Sequence, residues 1–313
     1  RDARMTPLRT RAQEYLAMRR RLGFKLTSQG PLLLDFIGYL ERSGQDHITT
    51  EAALSWAMAT PNSTSEIWWS RRLMVVRIFA RHLKPLQAAT EIPPDDVLPH
   101  HKCRRTPYLY SPDEITALIT AAGALTPQLR AWTYRTLICL LAATGMRVGE
   151  ACRLDQGDVD LAAGILTVRD SKFGKSRQVP LHPTATAALK EYDRRRDQWH
   201  PVPSTVAFFV STRGTRLSAH NVPHVFGPLL QSAGIHPAPG QRRPRVHDLR
   251  HSFATATLRD WYADGGDVQA RLPLLSTYLG HADPKSTYWY LSGSSELLAL
   301  AATRLEHALG GQP

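Results

Sequence analysis

Residues 158–181, DVDLAAGILTVRDSKFGKSRQVPL, decide the fold class. Elsewhere apolar residues recur at helical spacing. Here the periodicity changes, and Gly164 and Phe173-Gly174 mark turns between short apolar runs. Such runs between turn residues are the signature of strands joined as hairpins. Three short strands are expected, near 159–161, 165–169 and 178–181. The fold class that follows is mainly α with a small antiparallel β-sheet, the sheet lying inside a mixed α/β second half.

Working outward, the flanks read as helix. Ser111-Pro112-Asp113-Glu114 places serine at an N-cap, proline at N1 and glutamate at N3, a capping box. That helix runs on through Leu118, another covers roughly 128–143, and helices return from about residue 183 to the end. Residues 8–90 read as helices only. Tyr15, Met18 and Leu22 mark one apolar stripe, and Leu33, Phe36, Ile37 and Leu40 a second. A third helix starts near Thr50. A fourth runs from about Ser65 to Lys84 with Leu73, Val76, Ala80 and Leu83 inward. Between the halves lies IPPDDVLPHHKCRRTP, whose four prolines argue against helix. The expected division is a helical domain over 1–91, a basic linker over 92–107 and a larger domain over 108–313. No internal repeat or low-complexity tract is visible.

Charge narrows the function. The chain of 313 residues has 39 Lys+Arg against 27 Asp+Glu, a formal net charge of +12, which favours a polyanionic partner such as nucleic acid. With 42% hydrophobic and 21% charged residues it is not a disordered polycation. On the fourth helix Arg77, Arg81 and Lys84 form a basic stripe, with Arg71 and Arg72 nearby and Arg19, Arg20 and Arg21 in the same domain. Such a stripe is either a solvated face or a phosphate-binding one. The linker adds Lys102, Arg104 and Arg105, and the second domain Arg242 and Arg243. All ten from Arg71 onward are candidate DNA contacts. Cys103, Cys139 and Cys152 are few and odd in number, with no CxxC pair, and read as reduced thiols. No metal is expected: the His100-His101-Cys103 cluster lacks a second ligand pair. The basic N-terminus lacks the apolar run of a signal peptide, and the longest apolar run, 137–143, is too short to span a bilayer. A cytoplasmic protein acting on DNA, without a membrane partner, is expected. The chain starts at Arg1 rather than Met, so a native start upstream is also expected.

Five segments carry candidate functional residues, and their order matters more than any one of them. In Ala143-Thr144-Gly145-Met146-Arg147-Val148-Gly149-Glu150 the glycine turns the chain and Arg147 opens a helix, where backbone N–H groups also favour an anion. Glu150, one turn on, fixes the guanidinium or caps the helix. Ser171-Lys172-Phe173-Gly174-Lys175 sits at a hairpin tip. His247 and Arg250 in His247-Asp248-Leu249-Arg250-His251 share a helix face. Leu279-Gly280-His281 ends a helix, and Thr287-Tyr288-Trp289-Tyr290-Leu291 offers two tyrosines. Taken singly, each is equally at home as a surface arginine, an exposed hairpin lysine, a structural histidine or a packing tyrosine.

As an ordered set they resemble the tyrosine recombinase (phage integrase) family. The likeness rests on TGMRVGEACRL, HDLRHSFAT and LGHADPKSTYWYLS and covers about residues 107–313, roughly two-thirds of the chain. The first domain resembles the family's core-binding domain only in layout and charge. The stretch between Arg250 and His281 is several residues longer than the commonest family form. The resemblance implies an N-terminal helical core-binding domain and a mixed α/β catalytic domain of the tyrosine recombinase type. It further implies an enzyme that cuts and rejoins DNA through a 3′-phosphotyrosyl intermediate, without cofactor. Its nucleophile would be Tyr290, nine residues after His281, rather than Tyr288. Arg147 and Arg250 would clamp the phosphate, His247 assist proton transfer, His281 donate to the phosphate, and Lys172 rather than Lys175 protonate the leaving 5′ oxygen.

Double-stranded DNA with paired target sites, a homotetramer on that DNA and accessory recombinases or DNA-bending proteins are the implied partners, with DNA integration by a mobile element among the roles. A last helix with Leu298, Leu305 and Leu309 on one stripe, capped by Ser294, would dock on its own domain or on a neighbour. Two alternatives share parts of this pattern: a type IB topoisomerase-like DNA relaxing enzyme and a non-catalytic DNA-binding regulator. The basic first domain and the leucine-bearing tail favour a recombinase over the topoisomerase. A regulator would lack one of the six reactive residues, and none is missing.

Overall fold

The computed structural model describes residues 6–59, 65–98, 106–170, 174, 176–281, 283, 285–292, 297, 299, 302 and 303. It falls into two compact units, up to residue 104 and from residue 105.

The first unit is a bundle of α1 (Pro7–Arg21), α2 (Gln29–Arg42), α3 (Thr50–Met58) and α4 (Glu66–Leu83). Thr6 and Thr49 cap α1 and α3, their hydroxyls accepting from Arg9 N and Ala52 N at 3.2 Å. The apolar stripes of α2 and α4 point inward as expected: Leu33, Phe36, Ile37, Leu40, Leu73, Val76, Ala80 and Leu83 are all buried. The α1 stripe is corrected. Met18 and Leu22 are exposed, and the inner face is Leu8, Ala12, Tyr15 and Leu16, because Leu22 already caps the helix end.

Two expected DNA contacts are corrected as well. Arg72 and Arg77 are buried within this unit. The Arg72 guanidinium lies 3.8 Å over the Trp56 ring and donates to the Trp56 carbonyl at 2.8 Å. Arg77 donates to the carbonyls of Pro93 (2.7 Å) and Pro94 (2.5 Å) and pairs with Asp95 at 3.0 Å. Both lie toward the bundle because α4 turns 72, 73, 76, 77 and 80 to one side. Arg77 thus ties the start of the proline-rich stretch to the bundle, and Leu98 packs on the same core. Arg71, Arg81 and Lys84 are exposed. Lys102, Arg104 and Arg105 lie outside the described residues, as do His100, His101 and Cys103.

The second unit begins with α5 (Pro112–Gly123), whose capping box forms: Ser111 Oγ accepts from Glu114 N at 3.1 Å and Glu114 accepts from Ser111 N at 2.8 Å. It packs on α6 (Gln128–Thr144), which ends at Gly145 with φ +60°. A Cβ there would stand 2.5 Å from Phe253 Cδ1, so glycine is needed for space as well as for backbone conformation. After α7 (Val148–Arg153) come β1 (Val159–Asp160), β2 (Ile165–Val168) and β3 (Arg177–Pro180), an antiparallel sheet in the order β1-β2-β3. Leu166 opposes Val159 and Val179, and Val168 opposes Arg177. Then follow α8 (Pro183–Trp199), α9 (Val222–Ser232), α10 (Asp248–Ala263), α11 (Val268–Leu279) and α12 (Lys285–Ser292). The longer stretch between Arg250 and His281 is the end of α10, a turn and α11.

The main core joins α5, α6, the sheet, α8 and α9 around Leu137, Leu166, Leu189, Tyr192, Phe208 and Phe209. A smaller cluster of Ala254, Leu258, Leu272, Leu275, Leu279 and Tyr290 holds α10, α11 and α12 together. The reactive segments lie where these packed elements begin or end. Among the described residues no helix is long and apolar enough to cross a membrane. Ser294, Leu298, Leu305 and Leu309 of the expected last helix lie outside the described residues.

Candidate active site

Arg147 sits between the α6 C-cap and α7. Its backbone N–H donates to Glu150 Oε2 at 3.1 Å, its Nη1 to Glu150 Oε1 at 2.8 Å, and its Nη2 to the Gly280 carbonyl at 3.2 Å. The guanidinium is anchored along one edge yet remains partly open, with 30% of the side chain exposed. Glu150 is buried and meets a second arginine, Arg177, at 2.9 Å. Burial alone would raise the carboxyl's pKa. The hydrogen bonds and charge of Arg177, then of Arg147, outweigh that and hold it at about 2.

The first turn of α10 supplies the next groups. Asp248, buried beneath it, accepts from Arg245 N at 2.8 Å and Arg242 Nη2 at 2.6 Å. Arg242, an expected DNA contact, is therefore half-buried and committed to Asp248, while Arg243 is exposed. Arg250 is buried, and its Nη1 donates to the Gly145 carbonyl at 2.9 Å. Burial first, then the charge of Arg147, pushes its pKa down to about 10, and a hydrogen bond to Tyr290 works in the opposite direction. Its Nη2 is buried and meets no acceptor among the described residues. A buried guanidinium with a spare donor and no carboxylate of its own suits an anion that arrives from outside.

His247 is exposed to solvent at the start of α10, beside the buried Arg250. Desolvation, then the charge of Arg250, pushes its pKa from 6.5 down to about 4. His251, one turn on, is pushed down to about 3 by burial and by neighbouring positive groups. Both rings are neutral at pH 7, so His247 is able to accept a proton there. The His247 and His251 rings are 5.1 Å apart, and His251 lies 5.4 Å from Tyr290.

α11 ends at Gly280 in the left-handed region, and the His281 N–H caps it through the Ser276 carbonyl at 2.9 Å. His281 Nδ1 is 2.7 Å from the Thr287 hydroxyl on α12, and its ring stacks on Tyr290 with centroids 6.1 Å apart. The two tyrosines of α12 part ways: Tyr290 is buried among these groups and Tyr288 is half exposed. Arg147, Glu150, His247, Arg250, His281 and Tyr290 thus converge from four segments. Lys172 and Lys175 lie outside the described residues. Two participants were missed in the sequence, Asp248 and Arg177. Strand alternation puts Arg177 on the face of the buried Val179, which was the available signal. Among the described residues no three His, Cys, Asp or Glu side chains are grouped as a metal site requires.

The chain is similar to known integrases and recombinases in sequence and in fold. The phage integrase family pattern matches residues 109–296. A Sinorhizobium fredii protein named "Putative integrase/recombinase y4rB" is 43% identical over 308 residues, spanning 96% of this chain and 98% of that one. The tyrosine recombinase XerD of Caulobacter vibrioides is 30% identical, over 91% of this chain and 90% of its own. The crystal structure of the XerA recombinase aligns over 94% of this chain and 97% of that one, with 27% identity and a TM-score of 0.52. A lambda integrase tetramer bound to a Holliday junction shares the fold at 20% identity, with a TM-score of 0.62 over 92% of this chain and 78% of that one.

Proposed function

The chain belongs to the phage integrase family and is a site-specific DNA recombinase, and from that premise we propose that Tyr290 is its nucleophile and that it works through a 3′-phosphotyrosyl intermediate. The observation that carries the assignment is the Tyr290 side chain buried against Arg250, whose guanidinium hydrogen-bonds it and is itself pinned to the Gly145 carbonyl. A phosphodiester entering there meets the spare donor of Arg250 and the open edge of Arg147. Both stay charged at any working pH, and charge builds on the non-bridging oxygens as the tyrosine oxygen attacks.

The step balances as follows. The Tyr290 oxygen forms a bond to phosphorus while the bond from phosphorus to the 5′ oxygen breaks. The phenolic proton passes to neutral His247, and Lys172 gives a proton to the departing 5′ oxygen. His281, held by Thr287, donates to a non-bridging oxygen. The phosphotyrosyl bond conserves the energy of the phosphodiester, so a second 5′-hydroxyl reseals the strand in the reverse reaction without ATP.

The partner is duplex DNA bearing paired sites. Exposed Arg71, Arg81, Lys84 and Arg243, with Lys102, Arg104 and Arg105, contact its phosphates. Exchange between two duplexes requires four copies, and the lambda integrase tetramer on a Holliday junction supports that assembly. The action is on DNA in the cytoplasm, in the service of a mobile element, with accessory DNA-bending proteins or recombinases. The layout proposed is a core-binding domain over 1–91, a linker over 92–107 and a catalytic domain over 108–313. Incubation with supercoiled plasmids carrying two copies, one copy or no copy of any inverted repeats found in the DNA that flanks the gene tests this. Recombinant products only with two copies are expected. Relaxation independent of the repeats would mean a topoisomerase, and binding without any breakage a regulator.

A further inference from the structure

Arg177 opens β3, two residues after the segment that ends at Lys175, yet its side chain is only 9% exposed and reaches away to Glu150 and the end of α11. Its Nη2 and Nη1 donate to the two Glu150 oxygens at 2.9 and 3.3 Å, and its Nε donates to the Tyr278 carbonyl at 2.8 Å. Glu150 in turn holds Arg147, and Arg147 holds the Gly280 carbonyl. The contacts close into a ring: Arg177, Glu150, Arg147, Gly280, and back through the end of α11 to Arg177. Gly280 fits only because it is glycine. A Cβ there would stand 2.6 Å from Arg177 Nη1 and 2.8 Å from its Cζ, at a φ of +69°.

Two physical consequences follow. The ring fixes the direction of the Arg147 guanidinium and the end of α11, from which His281 reaches Thr287 on the nucleophile's helix. It also settles the charge. Arg147 and Glu150 alone would cancel, leaving little field for a phosphate. With Arg177 sharing the carboxylate the trio carries one net positive charge, and its exposed member is Arg147. We infer that Arg177 is a positioning residue for the phosphate clamp: through Glu150 and the Gly280 turn it aims Arg147 and leaves that arginine's charge uncancelled. This rests on the function proposed above.

The test uses the full chain and a nicked duplex selected from a random library for covalent attachment to the wild-type protein. Two versions are made, one with the natural phosphodiester at the cleavage point and one with a methylphosphonate, in which a methyl group replaces a charged oxygen. Arg177→Lys keeps the charge but not the two-pronged donor geometry. It is expected to slow attachment to the phosphodiester by roughly 10- to 100-fold, the scale of a small misplacement of a reacting group. Non-covalent affinity and melting temperature should stay near wild type. On the methylphosphonate, which calls less on the clamp, the deficit should shrink to within a few-fold. Equal slowing on both linkages would mean a merely structural arginine and overturn the inference, as would wild-type rates on both. If Arg177→Lys does not fold, Arg177→Gln is read in the same way. Failure of the wild-type chain to attach to any duplex overturns the proposed function itself, a different result from an unaffected Arg177 variant.

Discussion

Replacing Arg250 with methionine should stabilise the free protein while abolishing most of its activity. A guanidinium pushed from 12.5 down to about 10 is kept charged in the fold at a cost of about 3 kcal/mol. Among the described residues no carboxylate forms an ion pair with it, and its Nη2 is buried without an acceptor. Methionine fills much of the same space without the charge. Against this, the Gly145 carbonyl loses its donor, which costs about 1–2 kcal/mol. The balance is a gain of about 1–2 kcal/mol, where most buried substitutions destabilise. In a unit of this size that is a rise in Tm of roughly 2–8 °C. Urea unfolding followed by tryptophan fluorescence measures the first effect. Attachment to a nicked duplex measures the second, expected to fall about 10²- to 10³-fold. A loss of stability beyond about 1 kcal/mol would refute the view that Arg250 is a buried charge awaiting a phosphate.

Three further outcomes are expected. Arg81→Gln with Lys84→Gln should flatten the salt dependence of DNA affinity by up to about 0.9 in log–log slope per lost phosphate contact, whereas Arg77→Met should leave the slope alone and lower Tm, since it strips the Pro93 and Pro94 carbonyls of their donor; equal effects on the slope would contradict the burial of Arg77. Gly145→Ala should cost about 2–4 kcal/mol by urea titration, combining a left-handed backbone with a Cβ 2.5 Å from Phe253, and a loss below about 1 kcal/mol would show that the turn relaxes freely. His247 and His251 have folded pKa values of about 4 and 3, below the unfolded 6.5, so the unfolded chain takes up protons first on acidification. The stability they contribute is whole above pH 6.5 and is lost as pH falls toward 4 and then 3. His247→Gln/His251→Gln should flatten that decline in urea midpoints measured from pH 7 to 4.5, and an unchanged slope would count against it.

What the sequence made legible was local. The α2 stripe, the Ser111 capping box and the turn glycines are patterns within a few residues, and each forms as read. The reactive set was legible only because its members occur in a known order. Nothing in local spacing relates Arg147 to Gly280 or Arg250 to Gly145, contacts that tertiary packing alone creates. Arg77 was misjudged because a row of basic residues at helical spacing invites reading as one exposed stripe. Its four-residue step from Leu73 already placed it on the buried side. Arg177 escaped notice for the opposite reason: a strand arginine on the inner face suggests nothing until its partner 27 residues away, Glu150, is known. Lys172 and Lys175 lie outside the described residues, and the choice between them rests on the family order.

Everything proposed for the site turns on attack by the Tyr290 hydroxyl on the DNA. Tyr290→Phe removes only a hydroxyl from a buried ring, so fold and non-covalent binding should persist, and Tyr288→Phe alters a half-exposed residue on the same short helix. The decisive measurement is attachment to a nicked suicide duplex, resolved on a denaturing gel with peptide mapping of the adduct. Wild type and Tyr288→Phe are expected to give a covalent band mapped to Tyr290, and Tyr290→Phe none. An adduct mapped to Tyr288, or one still formed by Tyr290→Phe, would contradict it.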